Sequence, residues 1–414
     1  MSVITKVFNI MICHTDTLKS FQSRLKILNV LLLSQFFSTT RGGGEYVFST
    51  IARKLAENDN KVWVITNKIK DENTDDVKNI TLVTVSPTLL YQGGLPPGFS
   101  DNLRYSFNAV KSGLEIIKKE NIDIIHSNNF APSLAGSILA ALTSKPHITT
   151  VHDIFTLCGK DYWKRWGEQG NVSKINVTLA PFFEKLSIKL KHDCIHTVSN
   201  TTRDDLIKFG EKKPIHVIEN SIIEPKIHNS KQNLIQFIYV GRLVFYKNLE
   251  VIIRATSIAR KQEPQIKLVI VGDGPHRKSL EELVKKEDLE NNVKFRGYVT
   301  EEQKIQLISE SNAMLFPSLC EGFGLVILEA FSQNRPVLVS NLRPMSEIIT
   351  HKETGFVLDP YDEKAWAEHI LQLIKEPQKS QIMGKNGNTV LKTKYTQKVF
   401  YEKLVKMYNS VLSK

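Results

Sequence analysis

The sequence predicts an α/β protein made of two doubly wound parallel-sheet domains in tandem, facing each other across a cleft. Three observations carry this. From about Leu25 onward, short β-branched runs alternate with longer amphipathic stretches. The strand-like runs are apolar almost throughout, as strands are when crossover helices bury both faces of a parallel sheet. The rhythm breaks once, at the polar segment 221–233 with Pro225, and then restarts. Such sheets bind ligands beyond the carboxyl ends of their strands, so two facing domains make one shared cleft.

In the first half, residues 27–33 read as a strand. The glycine turn Arg41-Gly42-Gly43-Gly44 follows, then a helical stretch over 45–58. Further strands are expected at 61–66, 80–85, 122–126, 147–151, 194–198 and 216–218, with helices such as 103–120 and 132–142 between them. The second series runs through 236–240, 267–271, 293–296, 313–316, 336–339 and 355–358. Thr300-Glu301-Glu302-Gln303 has the pattern of a capping box, and the amphipathic stretch 396–413 reads as a terminal helix. The expected organisation is an extension over 1–24 without assigned role, a domain over 25–222, a linker over 223–233, a domain over 234–390 and a terminal helix over 391–414.

Composition narrows the class. With 41% hydrophobic and 24% charged residues in 414, disordered, collagen-like and coiled-coil chains are excluded. No apolar run approaches the roughly 18 residues of a membrane span, and the N-terminus lacks a secretory pattern. Cys13, Cys158, Cys194 and Cys320 lie far apart without a C-x-x-C pair, which suits reduced thiols in a cytoplasm better than a disulfide framework or a zinc site. The net charge of +12 is spread over both halves and fits nucleic acid, anionic lipid or phosphorylated ligands alike.

The densest chemical cluster runs from Phe316-Pro317-Ser318-Leu319-Cys320-Glu321 through Gly322-Phe323-Gly324-Leu325 to Glu329. A strand ends, a glycine turn follows, and an apolar helix starts near Gly324, where free backbone N–H groups can bind an anion or a sugar. Helical rise separates Glu321 from Glu329 by roughly 10 Å, too far for a two-carboxylate hydrolase pair at about 5–9.5 Å. The spacing suits a grip on two distant parts of one elongated ligand. A capping Glu321 and an incidental surface Glu329 are the alternative.

The segment E-G-F-G-L-x-x-L-E closely resembles the E-x7-E signature of the retaining glycosyltransferases of family 4. Gly241-Arg242-Leu243 with Lys247-Asn248, Val271-Gly272-Asp273-Gly274-Pro275, Arg296-Gly297-Tyr298-Val299 and the block from Asn334 through Glu347 to Gly355 resemble further family segments, in the family's order. Gly42-Gly43-Gly44-Glu45, Val151-His152-Asp153 and Glu219-Asn220-Ser221 resemble its N-terminal elements, with Ser221 in place of the usual glycine, a change expected to cost little at a linker. The resemblance implies the GT-B fold, two Rossmann-like domains with the C-terminal helix packing back on the first. It implies a hexose donor linked to UDP or GDP, a glycan or lipid-linked acceptor hydroxyl and front-face attack with retention. No tightly bound cofactor, metal or nucleic acid is expected.

Residue by residue, the resemblance puts His152 against the donor sugar, Glu321 on its hydroxyls, and Arg242 and Lys247 on the diphosphate. Glu329 falls on the ribose, with amides of Gly322, Phe323, Gly324 and Leu325 nearby. Backbone at Gly272 and Tyr298 falls near the base. From the residues themselves, bare backbone at Gly43 and Gly44 can approach the diphosphate from the other domain, with a plain tight turn as the alternative. The charge types suit these roles, since Arg242 can pair phosphate oxygens bidentately and Lys247 adds a point charge. His126 is a lesser candidate. No D-x-D occurs, the metal-holding device of the other large transferase fold, and no G-x-G-x-x-G follows the first strand. A sugar-nucleotide epimerase or phosphorylase of the same fold, or a catalytically silent nucleotide-sugar binder, are the competing readings. Residues 158–170 interleave aromatic and basic side chains and read as a sugar-stacking wall, a membrane-dipping loop or an ordinary packed loop. Residues 181–191 place Phe182, Leu186 and Lys189 near one helix face, with Lys185 and Lys191 close by. That face reads either as a peripheral contact with anionic membrane or as a buried helix with solvated lysines. A cytoplasmic location is the matching expectation.

Overall fold

The computed structural model describes residues 27–37, 43–69, 79–89, 98–159, 161–170, 172–228 and 233–413. The expected extension over 1–24, with Arg41 and Gly42, lies outside them. Strands β1 (Asn29–Leu33), β2 (Lys61–Ile69), β3 (Ile80–Leu89), β4 (Ile124–Ser127), β5 (His147–Val151), β6 (Cys194–Thr197) and β7 (Ile215–Val217) form one sheet in the order β3-β2-β1-β4-β5-β6-β7. A second sheet holds β8 (Asn233–Val240), β9 (Lys267–Val271), β10 (Val293–Gly297), β11 (Ser311–Phe316), β12 (Val337–Ser340) and β13 (Gly355–Leu358) in the order β10-β9-β8-β11-β12-β13. The strand pairings in both are parallel. This is the doubly wound pattern in duplicate, with order reversing at β1/β4 and at β8/β11. β8 begins at Asn233, the last residue of the expected linker, because Asn233 already pairs with Ser311 of β11.

The helices are α1 (Gly43–Glu57), α2 (Phe99–Glu120), α3 (Ala131–Thr143), α4 (Tyr162–Gly170), α5 (Lys174–Lys189) and α6 (Asn200–Lys208) in the first half. The second half carries α7 (Leu249–Arg260), α8 (Arg277–Lys286), α9 (Glu301–Glu310), α10 (Leu325–Ser332), α11 (Met345–Ile348), α12 (Glu363–Lys375), α13 (Pro377–Lys394) and α14 (Gln397–Leu412). The capping box at Thr300 and Gln303 starts α9.

The period of two in β1 sorts its side chains between two cores. Val30 and Leu32 pack with Phe48 and Ile51 of α1, whereas Leu31 and Leu33 pack with Tyr105 of α2 and Ala135 and Leu139 of α3. The first core is completed from the far end of the chain. Phe400, Leu404, Met407, Tyr408 and Val411 share one face of α14 and lie against the N-terminal sheet, so the C-terminal helix does pack back on the first domain. Tyr408 Oη sits 2.8 Å from His126 Nδ1, and His126 Nε2 sits 2.7 Å from Thr150 Oγ1. His126 is fully buried, and burial holds it well below the usual histidine range. It is a core residue, which corrects its reading as a site candidate. The lone signal for it was a strand end, and a strand end one residue short of the cleft points the ring into the core.

Leu404 is fully buried between α14 and the N-terminal sheet. Leu404→Ala should therefore cost about 2–5 kcal/mol of stability, read as a lowered urea midpoint in far-ultraviolet circular dichroism. An unchanged midpoint would mean that α14 does not dock there in solution.

Candidate functional site

Both sheets deliver their loops to the cleft at the positions where strand order reverses. Beyond β1 the chain enters α1 through Gly43 and Gly44, and beyond β4 and β5 come Asn128, His152 and Asp153. From the second sheet, β8 leads into Gly241 and Arg242, and β11 into the turn ending at Gly324. Gly324 has φ 96°, the left-handed region that favours glycine, and from it α10 starts. Gly272 has φ 116°, and a Cβ there would fall 2.0 Å from the Gly241 carbonyl oxygen. The missing side chain at Gly272 lets the loops after β8 and β9 lie in contact.

The two halves meet at His152. A Cβ on Gly44 would lie 3.2 Å from His152 Nε2, and a Cβ on Gly322 would lie 2.5 Å from the His152 carbonyl oxygen. That carbonyl accepts from Thr202 Oγ1 at 3.0 Å. Asn128 Oδ1 accepts from the Asn129 amide at 2.9 Å and lies 3.0 Å from His152 Nε2. Because the amide donor fixes which Asn128 atom is the oxygen, His152 must donate from Nε2. Burial pushes His152 down to about 4, so the ring is neutral near pH 7 and its orientation is set by Asn128.

Charges in the cleft come in pairs. Lys247 Nζ donates to Glu321 Oε1, both side chains being nearly buried, and Arg242 donates to Tyr246 Oη at 3.0 Å. Lys304 of α9 lies 2.8 Å from Glu329 Oε1, while Glu329 Oε2 is buried without a hydrogen-bond partner among the described residues. Burial works against the Lys304 charge, but Glu329 and Glu301 outweigh it and hold the lysine above its usual range. Burial, with Glu184 and Glu321 nearby, pushes Asp153 up to about 7 in spite of Lys247 and Arg242.

Two cavities flank this junction. One of about 240 Å³ is lined by Gly43, Gly44, Asn128, His152, Asp153 and Arg242, with an aromatic wall of Phe155, Tyr162, Trp163, Trp166 and Tyr246. The other, of about 370 Å³, lies between Tyr46 and Arg53 of α1, Ile222 and Ile223 of the crossing segment, and Leu325 and Glu329 of α10. Gly43, Gly44, His152 and Arg242 thus share one cavity, and Leu325 and Glu329 the other. Lys247, Glu321 and Gly322 sit at the junction. Phe323 is buried against Tyr395, so only its backbone is available to a ligand. Gly272 and Tyr298 line neither cavity, and the Tyr298 side chain is 71% exposed.

The aromatic segment turns inward. Phe155 stacks on Tyr162 at 5.0 Å, Tyr162 lies 5.5 Å from Phe245, and Arg165 covers the Phe245 ring at 4.4 Å. α4 therefore bridges the two halves, which removes the membrane-dipping reading of 158–170. Cys158 and Cys320 are joined by a disulfide, with Cα atoms 5.5 Å apart and a sequence separation of 162. For this pair the bond corrects the expectation of reduced thiols, while Cys194 is free and buried. Wide sequence spacing argued for unpaired cysteines, but the two strand-end loops that carry these residues face each other across the cleft.

Sequence reasoning missed three contributors. Asn128 and Lys304 are described above. Glu184, buried in α5, accepts from the Phe155 and Thr156 amides at 2.7 and 2.9 Å and holds the turn beside the cavity. Glu347 of α11, singled out by the resemblance without a role, accepts from the Asn200 and Thr201 amides at 3.0 and 2.7 Å; a carboxylate at a helix start is favourable, and this one crosses between the halves. Ser221 also departs from expectation, since its hydroxyl is buried without a partner among the described residues and so carries a desolvation cost.

The raised Asp153 carries a pH signature. Its folded value of about 7 exceeds the ordinary 3.8, so between those values the native state keeps a proton that the unfolded chain has lost. Ionisation in that window opposes folding. The stability gained on Asp153→Asn should grow as pH rises from about 4 to about 7 and level off above. Urea midpoints of the two proteins across that range check it, and a pH-independent difference would contradict the buried placement.

The chain matches the family model for glycosyl transferases group 1 over residues 220–390 and that for glycosyltransferase family 4 over residues 41–223. It is 29% identical over 320 residues, 74% of this chain and 82% of the relative, to the capsular polysaccharide biosynthesis glycosyltransferase CapM of Staphylococcus aureus. Among solved structures, sucrose-phosphate synthase from Thermosynechococcus elongatus superposes with a TM-score of 0.78 at 19% identity, over 93% of this chain and 99% of that one. Anabaena HepE, solved with UDP-glucose, superposes with a TM-score of 0.68 at 19% identity, over 92% and 100%. With both halves matched by the two models, and two doubly wound sheets of the GT-B fold meeting at the E-x7-E turn, the chain belongs to the glycosyltransferases of family 4, glycosyl transferases group 1.

Proposed function

We propose that this glycosyltransferase moves a hexosyl group from a UDP-linked donor to an acceptor hydroxyl, with retention and without a metal ion. One observation carries the reading: Lys247 and Arg242 both act on Asp153, next to the neutral His152, and the turn that leads into α10 lies against the His152 carbonyl. A departing diphosphate there would meet two cations and free helix amides, the preorganised positive potential that lowers the barrier to leaving. Glu329 supports a ribose site, since Oε1 is neutralised by Lys304 and Oε2 has a free acceptor position for a diol. Glu321 then takes the sugar hydroxyls and His152 Nε2–H, oriented by Asn128, supports the ring. Backbone at Gly272 and Tyr298 is left for the base. HepE, solved with UDP-glucose, supports uridine over guanosine. The aromatic wall of Trp163 and Trp166 suits a sugar ring of the acceptor by stacking, and CapM, named for capsular polysaccharide biosynthesis, supports a place in polysaccharide assembly, with a glycan or lipid-linked acceptor.

The pairing of Glu321 with Lys247 separates their mutants. Glu321→Ala should abolish transfer yet leave UDP affinity equal or higher, because it frees the lysine for phosphate. Lys247→Ala should weaken UDP binding by about 1.5–3 kcal/mol, as for a charged hydrogen bond. Calorimetry with UDP reads both, and unchanged UDP affinity in Lys247→Ala would remove the lysine from the diphosphate site.

The reaction itself is tested with a panel of nucleotide sugars and NMR of the product. An α-linked product from an α-linked UDP donor, formed equally well in EDTA, is expected. A β-linked product, or activity lost on chelation and restored by Mg²⁺ or Mn²⁺, would overturn the mechanism.

A further inference from the structure

The outer surface of one helix layer is apolar where water should face polar groups. Ten of the eighteen large hydrophobic side chains exposed among the described residues lie on α2, α3 and α5. On α2 these are Phe99, Leu103, Phe107 and Leu114, with Phe107 72% exposed. On α3 they are Ile138 and Leu142. On α5, Ile175, Leu179, Phe182 and Leu186 form a stripe at helical spacing, with Ile175 71% and Phe182 60% exposed.

The three helices make one continuous layer. α2 and α3 pack on the β1/β4 face that carries Leu31, Leu33 and Ile125. Ile188 of α5 packs on Val151 and Ile195, which the strand register places on the same face. The Phe99 and Phe183 rings, 4.8 Å apart, join α2 to α5. Contiguous exposed apolar surface on this scale marks an interaction site.

Charge selects the partner. The same outward faces carry Arg104, Lys111 and Lys118 on α2, and Lys174 and Lys185 on α5, all exposed, while Lys189 pairs with Glu211. Of the acids on these helices, Glu184 is buried facing inward, Asp101 lies in the first turn of α2, and Glu115 and Glu120 lie toward its C-terminal end, so the basic side chains are in excess. α3 has no charged residue. An apolar layer interleaved with an excess of cations matches an anionic bilayer, whose headgroups take the cations while the apolar side chains enter the acyl boundary. Among the described residues no helix is long and apolar enough to cross a membrane, so the contact is peripheral.

We propose that the α2–α3–α5 face docks flat on an anionic lipid bilayer. Asn102, in the first turn of α2, lines the 240 Å³ cavity, so docking sets that cavity beside the bilayer surface. This last point rests on the proposed transfer reaction, since it would bring the cavity to a lipid-linked acceptor. The docking itself does not.

The test is co-sedimentation of the full chain with vesicles of phosphatidylcholine mixed with phosphatidylglycerol, against phosphatidylcholine alone, at low and high salt. Binding to the anionic vesicles at low salt, weakened by salt, is expected. Phe107→Ser and Phe182→Ser should each lower partitioning about tenfold, and Lys174→Glu and Lys185→Glu each at least about fivefold. Circular dichroism and UDP affinity should be unchanged in all four, separating loss of docking from loss of fold or of the transfer site. No binding to anionic vesicles at low salt, or equal binding by the four variants, would overturn the proposal. So would light scattering that shows a dimer abolished by Phe182→Ser, which would mean that a second copy covers the face.

Discussion

Everything at the site depends on how closely two sheet edges approach. Each half sends its loops out at the carboxyl ends of parallel strands, so a shared site forms only if those ends meet. They meet where the Gly322 backbone lies against the His152 carbonyl, a contact that leaves no room for a Cβ. Other devices hold the same approach: the Cys158–Cys320 bond, the Glu347 carboxylate on the start of α6, and α4 wedged between the halves by Tyr162 and Arg165. α14 adds a chain-level constraint by returning from the second half to fill the core of the first. The junction is thus over-determined by contacts that are individually modest.

A second constraint is electrostatic. Several ionisable groups share a partly buried space, which is costly unless charges are matched. The matching is made within the second half, Lys247 to Glu321 and Lys304 to Glu329, so that half holds its charge pairs before the other half contributes. His152 from the first half stays neutral. Under the proposed reaction, an incoming diphosphate competes with Glu321 for Lys247, releasing the carboxylate toward the sugar. Donor entry and assembly of the sugar site are then one event.

Two aromatic-rich stretches that looked alike in sequence have opposite fates. Residues 158–170 interleave rings with basic side chains, and so do 181–191. In the first, Tyr162 is buried against Phe245 and Tyr246, and the stretch becomes an internal strut. In the second, Phe182 and Leu186 point away from the sheet while Glu184 and Ile188 point in. Composition was the same kind of signal in both. What separates them is which side of the helix meets the rest of the protein, and for α4 the neighbour is a segment some 75–85 residues away in sequence.

The sequence by itself determined what depends on short-range periodicity and local stereochemistry. Apolar runs bounded by turn residues located the thirteen strands to within a few residues, the capping box located the start of α9, and the E-x7-E spacing located the turn at β11. Glycine at Gly324 and Gly272 was legible because backbone geometry there leaves little choice. Tertiary structure decided what depends on which loops face each other. Asn128 orients His152, Lys304 partners Glu329, and Cys158 finds Cys320, each across 20 to 160 or so residues. None of these carries a local pattern, since an asparagine, a lysine or a cysteine in a loop looks the same with or without its partner. His126 shows the converse, a cleft-like position in sequence that Tyr408 of the returning C-terminal helix makes part of the core.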